Sequence, residues 1–330
     1  MERLRVASLF AGCGGTDVGV RGDFAFCGRK YAALPTRLVY ANDFEPSACD
    51  MFDRNFRIKI DRTDIRQVDV SNVPQYDFLT AGFPCQSFSV VAQNPPRLGI
   101  KDSDKGTLFE EVCRFLKAHK PMGFLCENVK GILSANHGTA FPIIMRSLRD
   151  CGYYVMHMLL NARFYGVPQR RERVFIVGFR DAALLDAYRQ PMPVTHNATL
   201  GEVIALENTV PDKYYFSERA VAGMRAAKPE MNKGRIQNLD EPCNTVGAHL
   251  CKMSLNGTDP VLCINGRYRR FMPSEVARIQ SFPDNYELVG SERAQYKALG
   301  NAIPPVLAWH VMKSVCDAFT LKSSTYHKPS

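Results

Sequence analysis

The chain has 330 residues, 45% hydrophobic and 23% charged, a composition that excludes disordered and fibrous classes and suits one large or two ordinary folded domains. No run approaches the ~20 apolar residues of a membrane span, and the opening MERLRVASLF turns strand-like too soon for a secretory leader, so the expectation is a cytoplasmic protein with no membrane partner. Eleven cysteines without a CxxC spacing fit neither a disulfide framework nor a zinc site, and no metal is expected; a net charge of +9 leans toward a polyanionic partner.

In chain order, LRVASLF predicts a first buried strand that ends in FAGCGG (10–15). Gly12, Gly14 and Gly15 permit a tight turn into a helix whose first amides can receive an anionic group. The spacing is not that of the dinucleotide fingerprint. The stretch RGDFAFCGRKYAALPTR (21–37) suggests no role. RLVYAND predicts a second strand, after which Asp43 can accept from ribose hydroxyls and Phe44 offers a face to an adenine. A third strand is expected to end near TDIRQV, where Asp64 can accept from an adenine amino group. The three together describe a nucleoside-cofactor cleft, and its first turn suits a small zwitterion better than a pyrophosphate, which points to S-adenosylmethionine.

YDFLTAG predicts the strand that delivers GFPCQSFS (82–89), with Cys85 behind Pro84 at the mouth of the sheet. Such a cysteine is either a small hydrophobe at a strand end or a thiolate presented to a substrate. The polar, Pro- and Gly-rich segment 89–106 reads as a lid, or as a solvated loop. TLFEEVCRFLKAH predicts a helix with Leu108, Val112, Phe115 and Leu116 on one face. MGFLCEN then brings Glu127 to the same sheet edge as Cys85. RVFIVGF predicts a further strand, preceded by the arginine-rich QRRER, in which alternation sends Arg171 and Arg173 to the same side.

Repeated strand–helix alternation predicts an α/β fold with a doubly wound, mostly parallel sheet, whose ligands bind beyond the carboxyl ends of the strands. From 181 onward the apolar runs shorten and turn residues and basic charge increase. The expected division is a catalytic and cofactor-binding domain of residues 1–180 plus 296–330, a small irregular domain of 181–265, and a connecting helix within 266–295. Pro273 stands near the start of that helix. In the last helix Leu307, Val311, Val315 and Phe319 recur every four residues, a stripe that needs the first domain to pack on.

The motifs resemble the DNA cytosine-5 methyltransferase family, in the family's order and over nearly the whole chain. They are FxGxGG (10–15), GFPCQxFS (82–89), ENV (127–129), QxRxR (169–173), RxxxPxExARxQxFPD (269–284) and GN (300–301). The resemblance implies a Rossmann-like S-adenosylmethionine-dependent methyltransferase fold with a small target-recognition domain. It implies Cys85 as the nucleophile that adds to cytosine C6, with Glu127, Arg171 and Arg173 around the base. It carries cofactor binding over to Phe10, Gly12, Gly14, Asp43, Phe44, Asp64, Pro84, Leu108 and Asn301, and DNA contact to Ser89, Gln169 and Thr245. The family usually has glutamate where this chain has Asp43. Asn128 is expected to brace Pro84 rather than touch substrate.

The implied reaction methylates C5 of a cytosine flipped out of double-stranded DNA, with S-adenosylhomocysteine as the other product. The compact length suggests a prokaryotic or phage restriction–modification enzyme, monomeric and linked in function to a cognate endonuclease without binding it. A transfer-RNA methyltransferase of the same family and an inactive DNA-binding relic are the alternatives. The Cys-Phe-Thr signature of the former is absent from the small domain.

Overall fold

In the computed structural model the described residues are 3–84, 108–195, 198–205, 209–226, 235–252 and 259–325. The first part of the chain forms β1 (Leu4–Leu9), α1 (Gly15–Arg21), a hairpin of β2 (Phe24–Phe26) and β3 (Arg29–Tyr31), β4 (Thr36–Asn42), α2 (Pro46–Asn55) and β5 (Phe78–Ala81). It continues with α3 (Leu108–His119), β6 (Gly123–Val129), α4 (Ala140–Asp150), β7 (Tyr154–Asn161), β8 (Gln169–Arg170), β9 (Glu172–Phe179) and α5 (Ala182–Ala187). Then come α6 (Glu218–Ala226), β10 (Cys243–Asn244), β11 (Leu262–Ile264), β12 (Arg267–Arg269), α7 (Pro273–Ile279), α8 (Glu292–Asn301) and α9 (Pro305–Thr325).

The central sheet has the order β4-β1-β5-β6-β9-β7. β4, β1, β5 and β6 run parallel, and β9 runs antiparallel to both its neighbours. The chain steps outward from β1 to β4, then returns across β1 to β5. This reversal opens a crevice at the carboxyl ends of β1 and β5, where ligands bind in such sheets.

Two expectations are corrected. No strand ends at TDIRQV: the chain before it returns to the end of β4 through the isolated bridge Asn42↔Asp61, and Ile65–Gln67 is a 3-10 turn capped by the Asp64 carboxylate on the Arg66 amide. β7 was not foreseen, because its YVMHMLLN buries Met158 and Leu160 but leaves Tyr154, His157 and Leu159 exposed, as suits the edge of a sheet.

Each face of the sheet carries its own apolar cluster. Val6, Phe78, Leu125 and Phe175 face α1 and α9, while Ala7, Leu79, Phe124 and Cys126 face α3 and α4. Burying a core side chain of this size contributes roughly 1.5–3 kcal/mol, so these two layers hold the sheet in register. On α3 the buried face is Phe109, Val112, Phe115 and Leu116, with Leu108 at its half-exposed margin. On α9, Leu307, Val311 and Val315 are fully closed to solvent, and Phe319 packs against the same cluster.

The segment 21–37 acquires a role here. Its hairpin stacks Phe24 on Tyr31 at 4.9 Å, and Tyr31 meets Trp309 of α9 edge-on at 5.2 Å. Trp309 Nε1 donates to the Ala32 carbonyl at 2.9 Å, which fastens the hairpin over the α1–α9 pair.

Beyond α5, the short sheets β8–β10 and β11–β12 contribute Cys243, Leu262 and neighbouring Val246, Leu250 and Phe271 to the cluster on the α9 side. α7 starts at a fully buried ion pair, Arg269 Nη1 to Glu275 Oε2 at 2.8 Å, and Glu275 also accepts from the Met272 and Ala205 amides. These bonds pair a carboxylate with a guanidinium, each of which burial would otherwise penalise heavily.

Candidate active site

The turn after β1 is shaped by backbone that ordinary residues avoid. Phe10 and Gly12 have φ of 55° and 57°, and Gly14, at φ 83°, is the left-handed residue from which α1 departs. A Cβ on Gly14 would stand 2.3 Å from the Phe56 ring, so glycine is required there by space as well as by conformation. Asp43 locks this turn to the end of β4. Its Oδ2 accepts from the Gly12 amide at 2.8 Å, and its Oδ1 from the Glu45 amide at 2.9 Å. Burial raises the Asp43 carboxyl against these amide bonds.

Beside the turn, Phe44 is 62% exposed. A large aromatic face left open next to a glycine turn is what a nucleobase needs for stacking. Asp64 follows Thr63, whose carbonyl accepts from Asn42 Nδ2 at the end of β4, and is ion-paired with Arg66, which lowers its carboxyl. Leu108 opens α3, Asn301 closes α8 on the surface, and Pro84 stands exposed after β5. Cys85 and Ser89, and the lid segment 89–106, lie outside the described residues.

Glu127, near the end of β6, meets Arg173 of β9, with Nε to Oε1 at 2.9 Å and only 12% of its side chain exposed. Burial pushes the Glu127 carboxyl up, opposed by Arg173 and then Arg171. Next to it, Asn128 Nδ2 donates to the Phe83 carbonyl at 2.9 Å and so fixes the peptide that enters Pro84. A small cavity joins Glu127 to the glycine turn; Phe10, Ala11, Gly82 and Ile303 are among its walls.

Arg171 lies between β8 and β9, where its amide donates back to the Gln169 carbonyl, and it reaches different partners from Arg173. Arg171 is 1% exposed and donates to the carbonyls of Val246 (3.1 Å), Gly300 (2.9 Å) and Ala302 (2.9 Å). In this structure the side chain holds together the chain on both sides of Asn301 and the segment after Thr245. Gln169, expected at the DNA, is likewise fully buried. Its Oε1 accepts from the Val246 amide at 2.9 Å, and its Nε2 donates to Gln280 Oε1 at 2.8 Å. Gln280 in turn donates to the Leu299 carbonyl at 2.5 Å. Thr245 is exposed and donates to the Arg170 carbonyl at 2.7 Å. Gly300 lets these segments close up, since a Cβ there would stand 2.3 Å from the Ala248 amide nitrogen. Gln280 was legible as a motif position, but nothing in its spacing announced this role.

The family model for C-5 cytosine-specific DNA methylase matches residues 4–317. The chain belongs to this family. Among curated methylases, the type II methyltransferase M.NgoFVII of Neisseria gonorrhoeae is 33% identical over 99% of this chain and 89% of its own length. M.Bsp6I of Bacillus sp. (strain RFL6), also a type II methyltransferase, is 31% identical over 91% of this chain and 94% of its own. Two solved structures share the fold. The Entamoeba histolytica methyltransferase EhMeth superposes with a TM-score of 0.75 at 16% identity, covering 97% of this chain and 99% of its own. The S. pombe Dnmt2 methyltransferase gives 0.72 at 19%, covering 98% and 99%.

As a methylase of this family the protein uses S-adenosylmethionine and acts on DNA. Its cleft suits that cofactor on the chain's own evidence: an open aromatic at Phe44, a glycine turn pinned by Asp43, and a cavity leading from that turn to Glu127. Among the described residues no cluster of three or more histidine, cysteine or acidic side chains could hold a metal. Among them, too, no helix is long and apolar enough to cross a membrane.

Proposed function

We propose that this methylase transfers a methyl group to C5 of a cytosine flipped out of a short, specific double-stranded DNA sequence, through a covalent bond between Cys85 and C6. The observation that carries the reading is Glu127: a nearly buried, upshifted carboxyl at the carboxyl edge of the sheet, oriented by Arg173 and linked by a cavity to the glycine turn. S-adenosylmethionine supplies the electrophilic methyl group when bound. Phe44 would stack on its adenine, the 10–14 turn would receive its amino-acid end, and Asp64, Leu108, Pro84 and Asn301 would line the remainder.

Cytosine C5 is too weak a nucleophile to act unaided. Addition of the Cys85 thiolate to C6 makes C5 enamine-like. Glu127, carrying a proton, donates to N3 and holds the exocyclic amine. After methylation the C5 proton is lost to a base, the C6–S bond breaks, and Cys85 leaves as thiolate. Neither ring atom is reachable within a duplex, so the base is extruded at a few kcal/mol. Sequence reading belongs to residues 181–265, with Thr245 at the flipped base and Ser89 near the phosphates, while Gln169 and Arg171 act by holding Thr245 and Asn301 in place. The type II names of the relatives support a restriction–modification role, in which a monomer protects host DNA in the cytoplasm from a cognate endonuclease.

The test is to express the gene in a host without cytosine methylation and bisulfite-sequence its DNA. Protection of cytosine in one short motif is expected, and DNA bearing 5-fluorocytosine at that position should trap a covalent adduct that Cys85→Ser abolishes. Unprotected DNA from cells with soluble protein would overturn the DNA reading in favour of RNA or of an inactive binder.

A further inference from the structure

The sheet face beneath α1 is apolar except for one line of side chains. Val6, Phe78 and Leu125 set the parity of this face on β1, β5 and β6. The same alternation brings Ser8, Thr80 and Glu127 to it. Ser8 lies opposite Thr80 in the parallel register, and Thr80 lies opposite Leu125, two residues before Glu127. Ser8 is 2% and Thr80 1% exposed. Ser8, Thr16, Thr80 and Glu127 all line the small cavity, which has room for about one water molecule.

Asp17, in the first turn of α1, faces this line. It is 1% exposed, neither carboxyl oxygen has a partner in full hydrogen-bond geometry, and the Ser8 hydroxyl is the side-chain donor that faces it. Glu275, also fully buried, is by contrast bound by Arg269 and two amides. An unpartnered buried carboxylate is too unfavourable to persist as an anion, so Asp17 keeps its proton. Burial raises its carboxyl to about 7, against the Ser8 hydroxyl, its own amide and Arg21 one turn further on. The remaining groups around it are neutral: burial also pushes up Cys13 in the preceding turn and Tyr286, whose hydroxyl donates to the Cys13 carbonyl. At the other end of the line Arg173 holds Glu127 through Oε1, and Arg171 is the second cation nearby.

We propose that Asp17 is the proton store for Glu127, reached through the Ser8 and Thr80 hydroxyls and the cavity between them. The proposal rests on the reading of Glu127 as a carboxyl that must be protonated at N3. The Asp17 proton passes to Ser8 as the Ser8 proton moves on, and the same exchange at Thr80 and a water delivers a proton to Glu127. Each hydroxyl ends unchanged. The net result is a Glu127 carboxylic acid and an Asp17 carboxylate that lasts only while the adduct does, and its cost in the buried site drives the path back when the adduct collapses. Asp17 touches neither base nor cofactor and is a positioning residue.

The experiment is the pH dependence of kcat on a duplex carrying the methylated motif, for the full-length wild type, Asp17→Asn and Ser8→Ala. Wild-type kcat should fall as pH rises through about 7. Asp17→Asn should lose at least about tenfold in kcat below pH 7, with that limb flattened and the binding of cofactor and DNA within threefold of wild type. Ser8→Ala, which leaves Asp17 in place, should reproduce the effect, and it decides the matter if Asp17→Asn does not fold. A wild-type pH profile in either variant would overturn the relay, as would an equal loss at every pH accompanied by weakened cofactor binding. Absence of methylation by the wild type is a different failure, that of the methylation reading itself.

Discussion

Arg173 reaches across from β9 to Glu127 on β6, Nε to Oε1 at 2.9 Å, and the two side chains are 11% and 12% exposed. The partners are unequal when separated. A buried carboxyl left alone can take up a proton, whereas a guanidinium stays charged. Glu127→Ala should therefore destabilise the fold by about 3 kcal/mol at pH 7, and Arg173→Met by only about 1 kcal/mol. Paired urea melts check this, and equal losses would contradict it. In activity the order changes, because Glu127→Gln should lower kcat roughly 10²–10⁴-fold while DNA and cofactor still bind.

Arg171 makes a different prediction from its neighbour. Its three carbonyl acceptors lie at Val246, Gly300 and Ala302, so one side chain ties the segment after Thr245 to the segment around Asn301. Lysine is shorter and cannot span all three. Loss of one or two charge-assisted bonds costs about 1–3 kcal/mol each. Arg171→Lys should weaken S-adenosylmethionine and DNA binding together, each by roughly tenfold, which titration calorimetry can read. A fall in kcat alone would assign Arg171 to the chemistry instead.

That contrast marks how far the sequence could be read. β1, β5, β6 and β9 announce themselves as apolar runs, and the glycine turn, Glu127 and the Pro273 start of α7 follow from local rules. What each guanidinium touches was not legible, because Arg171 draws its partners from 75 to 131 residues away. The TDIRQV strand failed for a local reason: Asp64 caps a 3-10 turn where a strand pattern was read into polar sequence. The hairpin at 24–31 carries no signal by itself, since its purpose lies in Trp309. Asp17 drew no notice in the sequence, because its burial under the sheet is made only by the folded chain.

Asp17 also predicts how stability changes with pH. Its carboxyl titrates near 7 in the folded chain against an ordinary value of 3.8. Below about pH 4 both states are protonated, and the residue makes no pH-dependent contribution. Between about 4 and 7 the unfolded chain releases this proton and the folded chain keeps it, so stability falls as pH rises. The loss levels off above 7 at about 4 kcal/mol, from 1.36 kcal/mol per pH unit. Asp17→Asn removes this slope. The amide brings unsatisfied donors of its own, a constant offset, so the informative quantity is the change in stability with pH rather than its level. Urea denaturation at pH 5, 6, 7 and 8 should show the variant gaining on the wild type up to pH 7 and then holding a constant difference. Parallel curves across that range would mean that Asp17 is already ionised in the folded protein, and that its carboxylate has found a partner.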